Sequence, residues 1–258
     1  MSRIIEKDRI ADNVYLIRVE APMIAAKAKA GNFVVLRVGD DGERIPLTIA
    51  DYDRESITLI FLVAGKSTED LSRLHAGDDI TDIAGPLGRP SQIETVGTVV
   101  LVGGGVGNAV IYPIARGMKE AGNRTIVIAG SRTRSLVFWE DKLKSASDEL
   151  IICTDDGSYG VKGLVTDSLK KVMQQEKVSL VYAVGPTIMM KFVSLAAADV
   201  PAVVSLNPIM VDGVGMCGGC RVEVGGEVRF ACVDGPEFDG HKVNWDDLMN
   251  RNQRYTEE

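Results

Sequence analysis

Hydrophobic residues in the first 94 positions gather in short runs of strand length. Val14–Val19, Asn32–Val38 and Ser56–Val63 are rich in β-branched and aromatic residues, and polar turns separate them at Gly39-Asp40-Asp41-Gly42 and Asp51–Arg54. Such runs, with no convincing helix between them, predict an antiparallel barrel or sandwich. Near Thr95 the pattern changes. Thr98–Val102 reads as a buried strand and meets Gly103-Gly104-Gly105-Val106-Gly107. Predicted helices over Asn108–Ala121, Trp139–Ser147 and Gly163–Glu176 then alternate with predicted strands over Thr125–Ala129, Leu150–Thr154 and Leu180–Val184. That alternation predicts a parallel α/β sheet. After Asn207-Pro208 the chain becomes rich in Gly and Cys. Arg221–Val224 and Glu227–Ala231 flank Gly225-Gly226 as a two-residue hairpin. The polar tail, Asn244–Glu258, is expected to begin as a helix. The expected organisation is a β barrel over 1–94, an α/β domain over 95–206 and a small cysteine-bearing domain with its tail over 207–258.

Composition narrows the function classes. The chain has 258 residues, 45% hydrophobic and 25% charged, which is the balance of a folded protein. Its formal net charge of −7 repels phosphate backbones, so nucleic acid is not an expected partner. Met1–Asp8 lacks the apolar core of a signal peptide, and no run reaches the roughly 18 apolar residues of a membrane span. A cytoplasmic protein with no membrane partner is expected. Of the four cysteines, Cys217, Cys220 and Cys232 crowd into one segment. In a reducing compartment such clusters are more often metal ligands than disulfides.

The spacing is Asp212-x4-Cys217-x2-Cys220-x11-Cys232. Plant-type [2Fe–2S] proteins use a cysteine, four residues, a second, two residues, a third and a distant fourth. Here Asp212 stands first. Gly218-Gly219, between the thiols, lets backbone N–H groups approach bridging sulfides. The same donors also suit a single zinc ion, or the cysteines are simply buried. Asp212 precedes a glycine and has a turn role open to it. Cys153, at a strand end far from the others, reads as core.

Three segments of the α/β half carry candidate binding chemistry. Gly104, Gly105, Val106 and Gly107 lie between a strand and a helix, where missing side chains and a helix N-terminus favour a pyrophosphate. Gly185, Pro186 and Met189 lie after another strand, with Thr187 as the expected helix cap. Asp155 and Asp156 sit in the loop Thr154–Gly160 and are placed to touch a ribose, or form a solvated turn. In the barrel half, Arg44-Ile45-Pro46-Leu47-Thr48-Ile49 joins a cation, a proline-fixed extended segment and a hydroxyl. A flavin needs a cation for its phosphates, an apolar surface for its ring and a hydrogen-bond partner near N5. Arg44, Leu47 and Thr48 offer these in turn. Gly65-Lys66-Ser67-Thr68 reads as a second phosphate cradle, and Gly85-Pro86-Leu87-Gly88 as the turn that closes the barrel.

Together these motifs resemble the ferredoxin–NADP reductase superfamily, and within it the electron-transfer subunits of dihydroorotate dehydrogenase. The likeness covers nearly the whole chain. It implies an FAD barrel, an NAD(H) domain and a C-terminal [2Fe–2S] domain, with Thr48 polarising flavin N5. One departure is Asp212 in place of the first cysteine. With Phe230–His241, it resembles the small subunits of NADH-dependent reduced ferredoxin:NADP oxidoreductases. That likeness implies a cluster held by three cysteines and an aspartate. It also implies a larger flavin and [4Fe–4S] partner subunit that binds NADP, ferredoxin reached through the complex, and electron bifurcation. A second departure is Ile45, where the superfamily has an arginine; Arg44 lies one residue earlier.

Overall fold

The structure is a computed structural model that describes residues 2–253. The first half contains β1 (Ser2–Ala11), β2 (Val14–Glu20), α1 (Pro22–Ala25), β3 (Phe33–Arg37), β4 (Arg44–Tyr52), β5 (Ser56–Leu62), α2 (Lys66–Arg73), β6 (Asp79–Ile80) and β7 (Asp82–Leu87). The strands form one antiparallel sheet in the order β6-β1-β2-β5-β4-β3-β7. The two edge strands, β6 and β7, are separated in the chain only by Thr81. Laid flat, seven strands would hold their edges about 29 Å apart. The link from Ile80 to Asp82 reaches about 7.6 Å at most. The sheet therefore curls into a nearly closed barrel around Ile17, Val19, Val34, Leu36, Ile49, Leu59 and Phe61, with Leu71 of α2 in the same core.

The second half contains β8 (Thr98–Gly104), α3 (Gly107–Glu120), β9 (Arg124–Ser131), α4 (Glu140–Ser145), β10 (Glu149–Thr154), β11 (Val161–Lys162), α5 (Val165–Gln175), β12 (Leu180–Val184), α6 (Thr187–Ala197) and β13 (Ala202–Ser205). After it come the hairpin β14 (Arg221–Val224) and β15 (Glu227–Phe230), then β16 (Glu237–Asp239) and α7 (Trp245–Gln253). The sheet order is β11-β10-β9-β8-β12-β13-β16, parallel except for β16. The chain runs outward from β8 to β11, then returns to the other side of β8. The strand order thus switches between β8 and β12, the place where open α/β sheets bind ligands.

Both faces of this sheet are covered, which explains the unbroken apolar run of β8. Val99 and Leu101 pack with Ile111, Ile114 and Met118 of α3; Val100 and Val102 pack with Leu169 of α5 and Val193 of α6. Gly225 and Gly226 have φ of 63° and 80°, the two positive values that a tight hairpin turn requires. No described helix is long and apolar enough to cross a membrane.

Several expectations are corrected. Ser2–Ala11 is a strand with only Ile4 buried, so its polar sequence carried no strand pattern. Lys66–Arg73 is a helix within the stretch expected to lack one; Leu71 is its single buried residue, too few to mark a period. Gly85, Pro86 and Leu87 belong to β7, and closure falls instead at Thr81. Thr187 does not cap α6: Pro186 holds the cap position and no side chain bonds there. Strands β13 and β16 went unseen because each is short. Of these, β16 hydrogen-bonds into the parallel sheet although it follows the cysteines.

The barrel–sheet connection is stitched to the segment after Cys232. Arg89 donates its backbone N–H to Gly235 O (2.7 Å) and its Nε–H to Val233 O (3.1 Å). Ser91 Oγ donates to Glu237 Oε1 (2.5 Å), and Tyr182 donates its hydroxyl to Glu237 Oε2. No described cation pairs with Glu237, and burial raises its pKa against the opposing effect of these two donors. Burial, with Glu237 beside it, also pushes the Tyr182 phenol up.

Native Glu237 therefore holds its proton where the unfolded chain has released it. Stability from this group falls as pH rises from the ordinary glutamate value of 4.5 through its higher native value. Glu237→Gln keeps a neutral hydrogen-bonding group, so its urea midpoint should gain on the wild type as pH rises across that window. A wild-type-minus-variant difference independent of pH would refute a protonated Glu237.

Helix α3 opens against β12, where a Cβ on Gly107 would stand 2.1 Å from Val184 O. Gly107→Ala should cost about 1–3 kcal/mol, because backbone must yield. Gly104→Ala should cost less, because its nearest obstacle is the flexible Met189 Sδ at 2.4 Å. Chemical unfolding followed by circular dichroism checks the order; the reverse ranking would contradict it.

Candidate functional site

The register of β3 against β4 sorts the Arg44–Ile49 motif onto two faces. Phe33 pairs with Thr48, Val34 with Leu47, Val35 with Pro46, Leu36 with Ile45 and Arg37 with Arg44. Side chains alternate along a strand, so Arg44, Pro46 and Thr48 share a face with Phe33 and Val35. Leu47 and Ile49 share the other face with Val34 and Leu36 and pack in the barrel core. Leu47 therefore offers its side chain to the core and not to a ring on the outer face, as alternation dictates. Arg44 is exposed, while Pro46 and Thr48 are partly exposed.

Gly65 is the N-cap of α2. Thr68 Oγ1 accepts from Ala64 N (3.0 Å) and Gly65 N (3.1 Å) and donates to Gly65 O (2.8 Å), so its hydroxyl is engaged in local capping. Lys66 projects into solvent and pairs with Asp70 at 3.2 Å. The first-turn amides of Lys66 and Ser67 have no partner within the helix.

At the switch between β8 and β12 the two glycine segments touch. A Cβ on Gly104 would meet Pro186 Cδ at 3.1 Å, and one on Gly185 would meet Gly104 Cα at 3.1 Å and Met189 Cε at 2.8 Å. Gly105 has φ of 56°, and a Cβ there would meet nothing within 4 Å. This open space adjoins the N-terminus of α3. Behind it, Asn108 Nδ2 donates to Gly130 O (3.1 Å), while its buried Oδ1 has no partner among the described residues. Val106 packs with Ala50 and Ile60 of the barrel, which brings the turn against β4. Asp155 donates its backbone N–H to Ser131 O (3.1 Å) at the end of β9. Asp156 folds onto its own loop, with Oδ1 accepting from Ser158 N (2.9 Å) and Ser158 Oγ (2.6 Å). Those donors, the Ser158 hydroxyl first, hold its carboxyl below the usual range.

The cysteine loop packs on the outer face of β3. Cys220 and Cys232 are buried with Phe33, Val35 and Met210, and Leu87 and Phe230 lie against them. Their sulfurs are 3.1 Å apart. Burial, then the adjoining Cys220, pushes the Cys232 thiol up to about 12. Cys217 is exposed, and Gly219 N donates to its Sγ (3.4 Å). Asp212 Oδ1 accepts from Val214 N (2.9 Å) and Oδ2 from Cys217 N (2.5 Å). These amides, that of Val214 foremost, hold the Asp212 carboxyl below its ordinary range.

The donors thus stand as two pairs, Cys220 with Cys232 and Asp212 with Cys217. Among the described residues no three His, Cys, Asp or Glu converge to hold one metal ion, as a zinc site needs. Two pairs that can turn thiolate and carboxylate toward two irons, with an amide already directed at sulfur, suit a dinuclear cluster. Cys153 lies apart, buried, with its Sγ 3.1 Å from Ser168 Oγ. A cavity of about 460 Å³ joins the two regions: Val35, Arg37, Arg44 and Asp82 of the barrel line it with Asp212 and Val214 of the loop.

Asn108, Asp51, Arg116 and Glu237 escaped the sequence reading. Asn108 adjoins Gly107 and could have been found there. Apart from the Tyr52 N–H on Asp51 and Tyr112 beside Arg116, the others meet partners at least 55 residues away, and no local pattern marks them.

Residues 207–244 match the family model of the iron-sulfur cluster binding domain of dihydroorotate dehydrogenase B. A dihydroorotate dehydrogenase B (NAD+) electron transfer subunit homolog of Thermotoga maritima is 50% identical over 262 residues, spanning 100% of this chain and 93% of the relative. The corresponding electron transfer subunit of Desulforamulus reducens is 36% identical over 249 residues, spanning 92% of this chain and 95% of that one. A solved structure of NADH-dependent reduced ferredoxin-NADP oxidoreductase superposes with a TM-score of 0.95 at 49% identity, over 100% of this chain and 94% of that chain. With the same barrel, parallel sheet and C-terminal cysteine lobe, this chain belongs to the family of dihydroorotate dehydrogenase B electron-transfer subunits and their homologs.

Proposed function

We propose that the chain is an electron-transfer flavoprotein subunit that passes electrons between NAD(H), FAD and a [2Fe–2S] cluster. We assign it to a bifurcating complex of the NADH-dependent reduced ferredoxin:NADP oxidoreductase type. Its companion there is a larger flavin and [4Fe–4S] subunit that binds NADP, with ferredoxin reached through the complex, in the cytoplasm. The observation that carries this is the seating of the cysteine loop on Phe33 and Val35, whose cross-strand partners are Thr48 and Pro46. The 49% identity to the reductase structure supports the choice of complex.

The bound flavin supplies a two-electron acceptor that can also release electrons singly, which lets one subunit join a hydride donor to a one-electron cluster. The chain's residues position these groups. Arg44, Pro46 and Thr48 present the outer face of β4, with Arg44 for phosphate and the Thr48 hydroxyl for N5. Leu47 and Ile49 contribute backbone only. Gly65, Lys66, Ser67 and Thr68 shape a helix N-terminus, where unpaired amides and the Lys66 charge favour phosphate. Gly104, Gly105, Val106 and Gly107 would leave room for a pyrophosphate, and Gly185, Pro186 and Met189 would wall the crevice that takes the nicotinamide. Asp155 and Asp156 would border the ribose of a bound dinucleotide. Asp212, Cys217, Cys220 and Cys232 hold the cluster.

The names of the curated relatives favour a second reading, in which the companion is a dihydroorotate dehydrogenase. Anaerobic purification of the native complex separates the two by the identity of the co-purifying subunit. It also disposes of the zinc alternative: the expected product is coloured, with flavin, two irons and acid-labile sulfide per chain, and a colourless protein with one zinc would refute both redox readings.

The ligand set is tested at Asp212. A carboxylate is a harder ligand than a thiolate and alters the cluster electronically. Asp212→Cys should retain the cluster with a changed electron paramagnetic resonance spectrum, and Asp212→Ala should lose or perturb it. Spectra of both variants identical to wild type would exclude ligation by Asp212.

A further inference from the structure

The seam between the barrel and the α/β module contains a charged knot that none of the roles above uses. Asp51, near the end of β4, accepts hydrogen bonds from two cations of the opposite module. Arg116 Nη1 of α3 is 3.0 Å from its Oδ1, and Lys142 Nζ of α4 is 2.8 Å from its Oδ2. The Asp51 side chain is only 18% exposed. Both cations lie on aromatic rings. Arg116 stands over Tyr112 (5.2 Å) and over Tyr52 of the barrel (5.9 Å), and Lys142 over Trp139 (4.4 Å) and Tyr112 (5.1 Å).

Asp51 follows Thr48 by three residues on the same strand. Between them the β4–β5 register shifts, from Ile49 opposite Leu59 to Asp51 opposite Thr58. Such a bulge bends a strand and re-aims its side chains. Arg116 lies on the helix that opens at Gly107. The knot therefore ties the strand that presents Thr48 to the helix that faces the crevice. Around it the seam is apolar and made partly of small side chains, with Ala50 against Ala109, Phe138 and Ile60. Apolar contact is non-directional, and modules joined by modest interfaces move relative to one another by default. A carboxylate held by two charged donors is directional and fixes an angle as well as a separation.

We infer that Asp51 is a positioning residue for hydride transfer: with Arg116 and Lys142 it sets the orientation of the nicotinamide crevice against the flavin face of the barrel. This rests on the transfer from NAD(H) to a barrel-bound flavin proposed above. Transfer requires the reacting atoms about 3–3.5 Å apart, and an error near 1 Å costs on the order of a hundredfold. Loss of the knot should therefore slow the step itself more than it weakens binding.

The test compares anaerobic holoprotein of the wild type with Asp51→Asn, Asp51→Glu and Lys142→Met. Flavin bleaching is followed in stopped flow over a range of NADH concentrations. Asp51→Asn should lower the limiting rate about tenfold or more, with the half-saturating NADH concentration, flavin content and cluster resonance signal little changed. Asp51→Glu should recover part of that rate, and Lys142→Met should give a smaller loss. Independently of turnover, hydrogen exchange without NADH should quicken in residues 106–116 and 135–143 of Asp51→Asn. An unchanged limiting rate in both Asp51→Asn and Lys142→Met, with flavin and cluster intact, would overturn the inference while leaving the electron-transfer role standing. Wild-type flavin that NADH fails to bleach would instead overturn that role, and this inference with it.

Discussion

Strand β3 has two buried faces, and that constraint organises the molecule. Val34 and Leu36 point into the barrel, while Phe33 and Val35 point outward and are covered by Cys220, Cys232 and Met210. A strand with both faces buried cannot slip its register by one residue without exposing one apolar set and forcing the other into the wrong core. The pairing of β3 with β4 is pinned for the same reason. Pinning β4 fixes which residues of the Arg44–Ile49 motif face outward. The cysteine lobe and the Arg44–Thr48 face thus sit side by side through a single alternation.

The glycines near the crevice act by exclusion. At Gly104, Gly107 and Gly185 a β-carbon would strike a neighbouring strand end or Met189, so the two loops can lie against each other only without side chains. Gly105 differs: its positive φ turns the chain, and the space beside it is open. Close packing and open space thus alternate within five residues, which suits a loop that must lie close to its neighbours and still admit a ligand. Just behind, Asn108 has a buried carbonyl oxygen that no group among the described residues satisfies.

Two half-buried carboxyls mark the seams between modules, and they solve desolvation differently. Asp51 sits between two cations at a partly wet boundary. Glu237 has only hydroxyl partners among the described residues, and burial favours its neutral form. One gives a directional contact between barrel and α/β module. The other joins the interdomain connection, the parallel sheet and the strand that follows Cys232. Neither fold core nor candidate ligand set contains them, yet both bear on how the lobes face one another.

Much of this was legible in the chain itself. Unbroken apolarity over Thr98–Val102 announced a strand covered on both sides, and alternation of strand and helix runs announced the parallel sheet, because each element's period is a local property. The spacing of Asp212, Cys217, Cys220 and Cys232 was equally local. What the chain could not disclose was every relation between distant segments. Leu47 and Thr48 are neighbours in sequence and part company only because β3 fixes the register. Glu237 acquires its partners from Ser91 and Tyr182, and Asp51 from Arg116 and Lys142. Local propensity specifies the elements; the packing of apolar faces against one another decides which charges and hydroxyls meet, and that choice exists only once the chain is folded.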